Sequence, residues 1–109
     1  MSEPKLSWIA ERPSRWDADK ERIVGSAGAE RFGEKTVAAW RTAEVLPGDW
    51  WHVDADGRVV GYGWMDVTWG DAEILVAVDA TERGKGVGTF ILDRLEAEAR
   101  SRGLNYLQN

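Results

Sequence analysis

Seven residues, Arg83-Gly84-Lys85-Gly86-Val87-Gly88-Thr89, lead from the loop after an apolar run at 72–78 into an amphipathic run at 87–102, and no other segment constrains the fold as much. In the first run Ile74, Val76 and Val78 alternate with Leu75 and Ala77. Both faces are apolar, which predicts a central strand covered on each side. In the second run Val87, Ile91, Leu95 and Ala99 recur every four residues and Phe90 and Leu92 widen the stripe. Asp93, Arg94, Glu96, Glu98 and Arg100 are left to water. That pattern is a helix with one buried face, closed by Gly103 at the C-cap position. Residues 104–108 read as a short strand. Strand, helix and strand over such a length form a βαβ unit, so the last strand runs parallel to 72–78.

Three physical features coincide in the seven-residue segment. The first turn of a helix carries unpaired N–H groups and a partial positive charge, and both favour an anion. Gly84, Gly86 and Gly88 lack Cβ, so the backbone can curl and a phosphate can approach closely. Arg83 and Lys85 add two charges at the same place. The natural ligand of such a segment is a diphosphate. A P-loop is excluded, because Asp79 stands where its first glycine belongs and Gly86 where its hydroxyl belongs. A Gly-x-Gly-x-x-Gly dinucleotide fingerprint is excluded as well, since its last position falls on Thr89 or Ile91. What remains is Arg-x-x-Gly-x-Gly, on Arg83, Gly86 and Gly88.

Upstream, runs at 49–53 and 58–68 are rich in β-branched and aromatic residues and flank Asp54-Ala55-Asp56-Gly57, a hairpin signal. Trp69-Gly70-Asp71 turns into the apolar strand, giving three consecutive antiparallel strands. Residues 5–11 are expected as a first strand ended by Pro13. A helix is expected over 17–29 on Ile23 and Val24, although Gly25 and Gly28 weaken it. A second is expected over 32–45 on Val37, Trp40 and Val45, stopped by Pro47-Gly48.

A chain of 109 residues is enough for one core, and the expectation is a single α/β domain with a mixed sheet over 1–109. With no cysteine and one histidine, a thiolate zinc site, a disulfide scaffold and a histidine-rich metal site are excluded. A net charge of −5 opposes nonspecific binding to nucleic acid. No apolar run approaches the ~18 residues of a membrane span, and the first six residues lack the shape of a signal peptide, so the expected compartment is the cytoplasm.

The stretch 72–106, from Ala-Glu-Ile-Leu-Val-Ala-Val-Asp through Arg-Gly-Lys-Gly-Val-Gly to the helix and Gly-Leu, resembles the GNAT superfamily of acyl-CoA-dependent N-acetyltransferases. The preceding hairpin, with Gly61-Tyr62-Gly63, is similar as well, so the likeness covers about 50–107. The resemblance implies a GNAT-like acyl-CoA N-acyltransferase fold with residues 72–108 as its cofactor-binding part. It implies acetyl-CoA as cosubstrate, an amine acceptor and no metal. The N–H groups of Gly84, Lys85, Gly86, Val87, Gly88 and Thr89 are then expected to hold the CoA pyrophosphate, with Arg83 opening the loop. Backbone of Val76, Ala77 and Val78 is expected to pair with the pantetheine arm as an added strand. An N–H near Val76 is expected to face the oxyanion.

Glu73 is the candidate general base, with Asp66 and Asp71 behind it, because an amine with a pKa near ~10.4 must lose a proton to attack. His52 is expected on the hairpin surface. Of seven tryptophans, Trp50, Trp51, Trp64 and Trp69 lie on the hairpin that borders the acceptor pocket by resemblance, and core is the first expectation for each. The overall negative charge favours a cationic amine. Where family members continue with a further helix, strands and a tyrosine, this sequence stops at Asn109, and Tyr106 comes too early to match that tyrosine. The expectation is therefore a fold truncated after its fifth strand, a piece of a longer acetyltransferase. Its open edge would be covered by further chain or by a second copy in a homodimer. The rival reading is a noncatalytic acyl-CoA-binding or assembly module.

Overall fold

Alternation of apolar faces builds a five-stranded sheet with helices on both sides. The computed structural model describes residues 5–104 and the backbone of 106–108. Its elements are β1 (Leu6–Glu11), α1 (Ala18–Phe32), α2 (Glu34–Thr42), β2 (Asp49–Ala55), β3 (Arg58–Thr68), β4 (Asp71–Val78), α3 (Val87–Ser101) and β5 (Tyr106–Gln108). A 3-10 turn, Ala80–Glu82, links β4 to the loop before α3. The strands lie in sequence order, antiparallel from β1 to β4, with β5 parallel to β4. Among the described residues no helix is long and apolar enough to cross a membrane.

Both hairpins close through two left-handed residues, Asp56-Gly57 (φ 53° and 83°) and Trp69-Gly70 (φ 55° and 84°). That is the type I′ geometry that matches strand twist. Ala55 therefore pairs with Arg58, and Thr68 with Asp71. The register of β2 on β3 shifts between Val53 and Asp54, and Val60 is the extra residue. The bulge turns Val60 toward α3, while Tyr62 and Trp64 face α1 and α2.

Two cores result, one on each face. Toward α3, Trp51, Val53, Met65, Ala72 and Ile74 meet Val87, Ile91, Leu95 and Ala99. Gly61 and Gly63 make that approach possible: a Cβ on Gly63 would stand 2.6 Å from the Trp8 ring, and one on Gly61 2.8 Å from Ile91. Toward α1 and α2, Trp50, Tyr62, Trp64, Leu75 and Ala77 meet Ile23, Val24, Val37 and Trp40.

The first helix runs three residues past its expected end, and Phe32 packs edge-on against Trp64 and Trp40. Gly28, which weakened the helix on propensity, is where α2 crosses α1; a Cβ there would lie 3.1 Å from Val37 and 3.2 Å from Trp40. The second helix is shorter than expected. It ends at Thr42, Val45 is exposed, and Leu46 takes the buried position. The carbonyl of Pro47 accepts from both Trp50 Nε1 (3.0 Å) and Trp64 Nε1 (3.2 Å), so one backbone oxygen satisfies two buried indoles.

Candidate functional site

Two left-handed glycines shape the loop after β4. Gly84 (φ 79°) and Gly86 (φ 85°, ψ 2°) hold a conformation that costs an L-residue about 1–2 kcal/mol. Gly86 is the N-cap of α3, and no side chain caps that helix end. Its carbonyl accepts from Phe90 N–H at 3.0 Å, which leaves Val87, Gly88 and Thr89 N–H without intrahelical acceptors. Among the described residues the N–H groups of 84–89 make no backbone hydrogen bond of good geometry, the turn at 83–86 being only loosely closed. A cavity of about 250 Å³ opens in front of them, lined by Val78, Arg83, Gly84, Gly86, Gly88 and Thr89, with Glu82, whose carboxylate is held by Lys85 and Arg58, at its margin.

The two loop cations behave differently. Arg83 is exposed and, among the described residues, has no ion-pair partner. Lys85 instead turns to Glu82, with Nζ 2.9 Å from Oε2, and Arg58 holds the other oxygen of that carboxylate. The Lys85 hydrogen bond keeps the Glu82 carboxyl below the usual glutamate range. Lys85 thus braces the loop from behind, and Arg83 is the cation left facing the cavity.

Strand parity decides which amides of β4 are available. Asp79 N–H donates to the Val60 carbonyl at 2.9 Å, on the β3 side. In an antiparallel pair such bonds alternate, so Ala77 and Leu75 also face β3, and Val78 and Val76 direct N–H and C=O to the opposite edge. On that edge β5 pairs with Asp71, Ala72 and Glu73 and, among the described residues, goes no further. The edge amides of Val76 and Val78 therefore lie open between the β4–β5 junction and the glycine loop. Ala77, expected with them, contributes its side chain to the α1-side core and its amide to β3.

Helix α1 forms the other wall. A cavity of about 350 Å³ between α1 and β4 shares Val78 and Arg83 with the loop cavity and reaches Ser26, Ala27 and Glu30. A further one of about 330 Å³ continues past Ala27, Glu30 and Val76 to Arg31 and Leu75. Together they make a trough from the free loop amides, along the open edge of β4, to the C-terminal end of α1. Arg22 ties the near end, donating to Asp79 (3.2 Å) and to the Val59 carbonyl (3.1 Å). The Thr81 N–H, with help from Arg22, holds the Asp79 carboxyl below its usual range. Another cavity of about 320 Å³, on the α3 face, is lined by Leu6, Ala55, Val60 and Val87 and by Glu82, Gly84 and Lys85 of the loop.

Glu73 lies just beyond the far end of the trough, in a separate cavity of about 250 Å³ shared with Asp66, Asp71 and Trp69, and meets the trough through Arg31. It faces α1, is 43% exposed at the side chain, and lies 3.4 Å from Arg31 Nη2. Asp66 is its direct cross-strand neighbour, and Asp71 starts the same strand, so the three carboxylates considered for proton transfer share one end of the sheet. From Glu73 to Val76 is three residues of strand, about 10 Å.

His52, expected on the hairpin surface, is half-buried. Its Nδ1 lies 2.6 Å from Glu11 Oε2, beneath the start of α1. The other Glu11 oxygen takes Lys20 Nζ (2.6 Å) and Ser14 Oγ (2.8 Å), and Lys20 is fully buried against the Trp50 and Tyr62 rings. Burial raises the Glu11 pKa, but the Lys20, Ser14 and His52 hydrogen bonds outweigh it and the net shift is downward. Burial drives the Tyr62 phenol far above its usual range, so it stays protonated. Of the hairpin tryptophans, Trp50, Trp51 and Trp64 are core, whereas Trp69 is 97% exposed at the β3–β4 tip.

The α1 wall, with Arg22, Ser26, Glu30 and Arg31, is what sequence reasoning misses. These residues recur at helical spacing, which reads as an ordinary solvated face until the strand opposite is known.

The chain has relatives of known fold. The profile of the Acetyltransferase (GNAT) family matches residues 29–109. No curated protein matches by sequence. An N-acetyltransferase from Staphylococcus aureus Mu50 is 29% identical over 55% of this chain and 40% of its own, with a TM-score of 0.51. An IAA acetyltransferase from Bacillus cereus ATCC 14579 is 22% identical over 94% of this chain and 63% of its own, with a TM-score of 0.62. An aminoglycoside N-acetyltransferase solved in complex with CoA has the same fold at 10% identity, over 98% of this chain and 77% of its own, with a TM-score of 0.57. The chain thus spans less than two thirds of the first two. With the family profile covering most of its length and the strand–loop–helix geometry beneath it, the chain belongs to the GNAT acetyltransferase family.

Proposed function

We propose that this protein binds acetyl-CoA along the β4–α1 trough and passes the acetyl group to a primary amine. The observation that carries this is the run of unpaired N–H groups at residues 84–89, continuous with the open edge at Val76 and Val78. The loop fits a diphosphate: its donors converge on one cavity, Arg83 faces it, and Gly88 leaves room beside Val78. The edge fits an extended amide-bearing arm, because Val76 and Val78 each offer one donor and one acceptor at strand spacing. That a neighbour of the same fold was solved in complex with CoA supports CoA as the ligand.

Bound there, acetyl-CoA supplies an activated acyl group as a thioester. Val76 N–H is then a preorganised donor for a carbonyl oxygen that gains negative charge during attack. Glu73 is an acceptor for the proton that the amine must lose, directly or through a water. The test is turnover of acetyl-CoA with a panel of primary amines, read as release of free thiol. Glu73→Gln is expected to lower kcat about 10²–10⁴-fold while leaving CoA affinity unchanged. An unaltered rate removes Glu73 from the role. CoA binding with no turnover on any amine favours the noncatalytic module.

A further inference from the structure

We infer that Arg31 receives a carboxylate of the acceptor, so that the amine acetylated is an α-amino acid rather than a bare amine or polyamine. This rests on the acetyltransferase reading above. Among the described residues Arg31 is the half-buried arginine whose fork is left unsatisfied. Its Nε is buried with no hydrogen-bond partner, and its single ion pair, to Glu73, is 3.4 Å long. A charge-assisted pair normally closes to about 2.7–2.9 Å. Other arginines of this chain do so: Arg22 with Asp19 at 2.7 Å, Arg41 with Glu21 at 2.7 Å, and Arg102 with Asp49 at 2.6 Å.

The Arg31 guanidinium lies over the Phe32 ring, 4.9 Å from its centroid. A guanidinium stays charged at any working pH and presents five donors in a fixed fork. The closed-off Nε leaves the terminal nitrogens, loosely held by Glu73 at 3.4 Å and lining the cavity, as the donors an oxygen anion can reach. Its place is informative. Arg31 lines the same cavity as Val76, whose amide edge is the proposed acyl site, and it touches the proposed base. A cationic amine brought there alone meets a fixed positive charge. One that carries its own carboxylate meets a partner for each group: the amino end toward Glu73, the carboxylate on Arg31. Because Arg31 Nη2 and Glu73 Oε2 are only 3.4 Å apart, the two ligand groups must sit on the same carbon or on adjacent ones.

The experiment compares L-leucine, L-glutamate and L-lysine, each beside its 1-carboxamide and its decarboxylated amine, as acceptors in the thiol-release assay. The carboxamide has the less basic amine and is more readily deprotonated, so a preference for the acid cannot come from amine ionisation. For at least one set, kcat/KM of the acid is expected to exceed that of its carboxamide about ten- to hundred-fold, the worth of a hydrogen bond to a charged group. Arg31→Met is expected to abolish that ratio and Arg31→Lys to restore part of it. A ratio taken within one variant is insensitive to partial loss of folded protein. In parallel, calorimetric titration with CoA present reads acceptor binding without turnover, and the acid is expected to bind more tightly than its carboxamide. Equal use and equal binding of acid and carboxamide, or a ratio unchanged in Arg31→Met, overturns the inference and leaves the acetyltransferase reading standing. Failure of CoA itself to bind overturns both.

Discussion

Gly86 and Gly88 differ in why they are glycine, and that difference separates folding from binding. Gly86 holds φ 85°, and a Cβ built there meets nothing within 4 Å. Gly86→Ala therefore carries a purely conformational penalty, about 1–2 kcal/mol. At roughly 4–8 °C per kcal/mol for a domain near this size, its unfolding midpoint should fall by about 4–16 °C. Gly88 is the second residue of α3, has no positive φ, and its Cβ would make ordinary contact with Val78 Cγ2 at 3.6 Å. A helix tolerates valine slightly better than glycine, so Gly88→Val should leave the midpoint of the free protein within a few degrees. Its branched side chain, however, would occupy the cavity onto which the free amides open. Loss of two charge-assisted bonds at about 1.5–3 kcal/mol each predicts at least a hundred-fold weaker CoA binding. The assay is thermal unfolding with and without CoA. Wild-type protein at a CoA concentration of 100 Kd should gain about 2.7 kcal/mol, and Gly88→Val at the same concentration almost nothing. A Gly88→Val protein that CoA protects as well as wild type would refute the assignment of these amides to the diphosphate. A Gly86→Ala protein of unchanged midpoint would refute the conformational argument.

Two further outcomes follow from the rest of the structure. Glu11→Gln leaves the fully buried Lys20 ammonium with only the longer 3.5 Å ion pair to Asp17, and breaking the close pair this way should cost about 3 kcal/mol, whereas Lys20→Met should cost less; equal losses in a denaturant titration would refute the pairing argument. Because the folded pKa of Glu11 lies below its unfolded value near 4.5, its contribution is complete at neutral pH and is lost as pH falls from about 5 through the folded pKa. The wild-type midpoint should therefore drop more steeply below pH 5 than that of Glu11→Gln. Trp69 is non-glycine at φ 55° with its ring in water, so Trp69→Asn should raise the midpoint by several degrees by relieving the turn. An unchanged midpoint there would mean that the indole finds compensating contacts.

Where a pattern was enforced by burial, it was legible in the sequence. Val87, Ile91, Leu95 and Ala99 declare α3 because one face must be apolar, and Asp56-Gly57 declares its hairpin because both turn residues need a left-handed conformation. The glycine loop was legible for the same conformational reason. The α1–α2 region was not. Propensity counted against Gly28, when the missing side chain is what lets Val37 and Trp40 approach, and Val45 looked like core when the exit of α2 at Ala43 puts Leu46 there instead. Nor could spacing show that His52 and Lys20 converge on Glu11, since those contacts span 41 and 9 residues and depend on how β1 meets β2 and α1.

The same strand register that buries β4 also aims its amides. Ile74, Val76 and Val78 face α3 because Leu75 and Ala77 must face α1, and that parity sends Val76 and Val78 N–H to the open edge. A slip of one residue would turn every side chain of the strand to the wrong core and rotate the edge amides toward β3 at once. Gly61 and Gly63, opposite Val78 and Val76 in register, secure this arrangement further. They admit Ile91 and Trp8 so close that a β3 displaced by one residue would bring a side chain into space where a methyl group already collides. The candidate binding edge is thus held in place by packing on both faces of the sheet, without any residue dedicated to that task, so the donor proposed to meet an extended thioester arm is a fixed one.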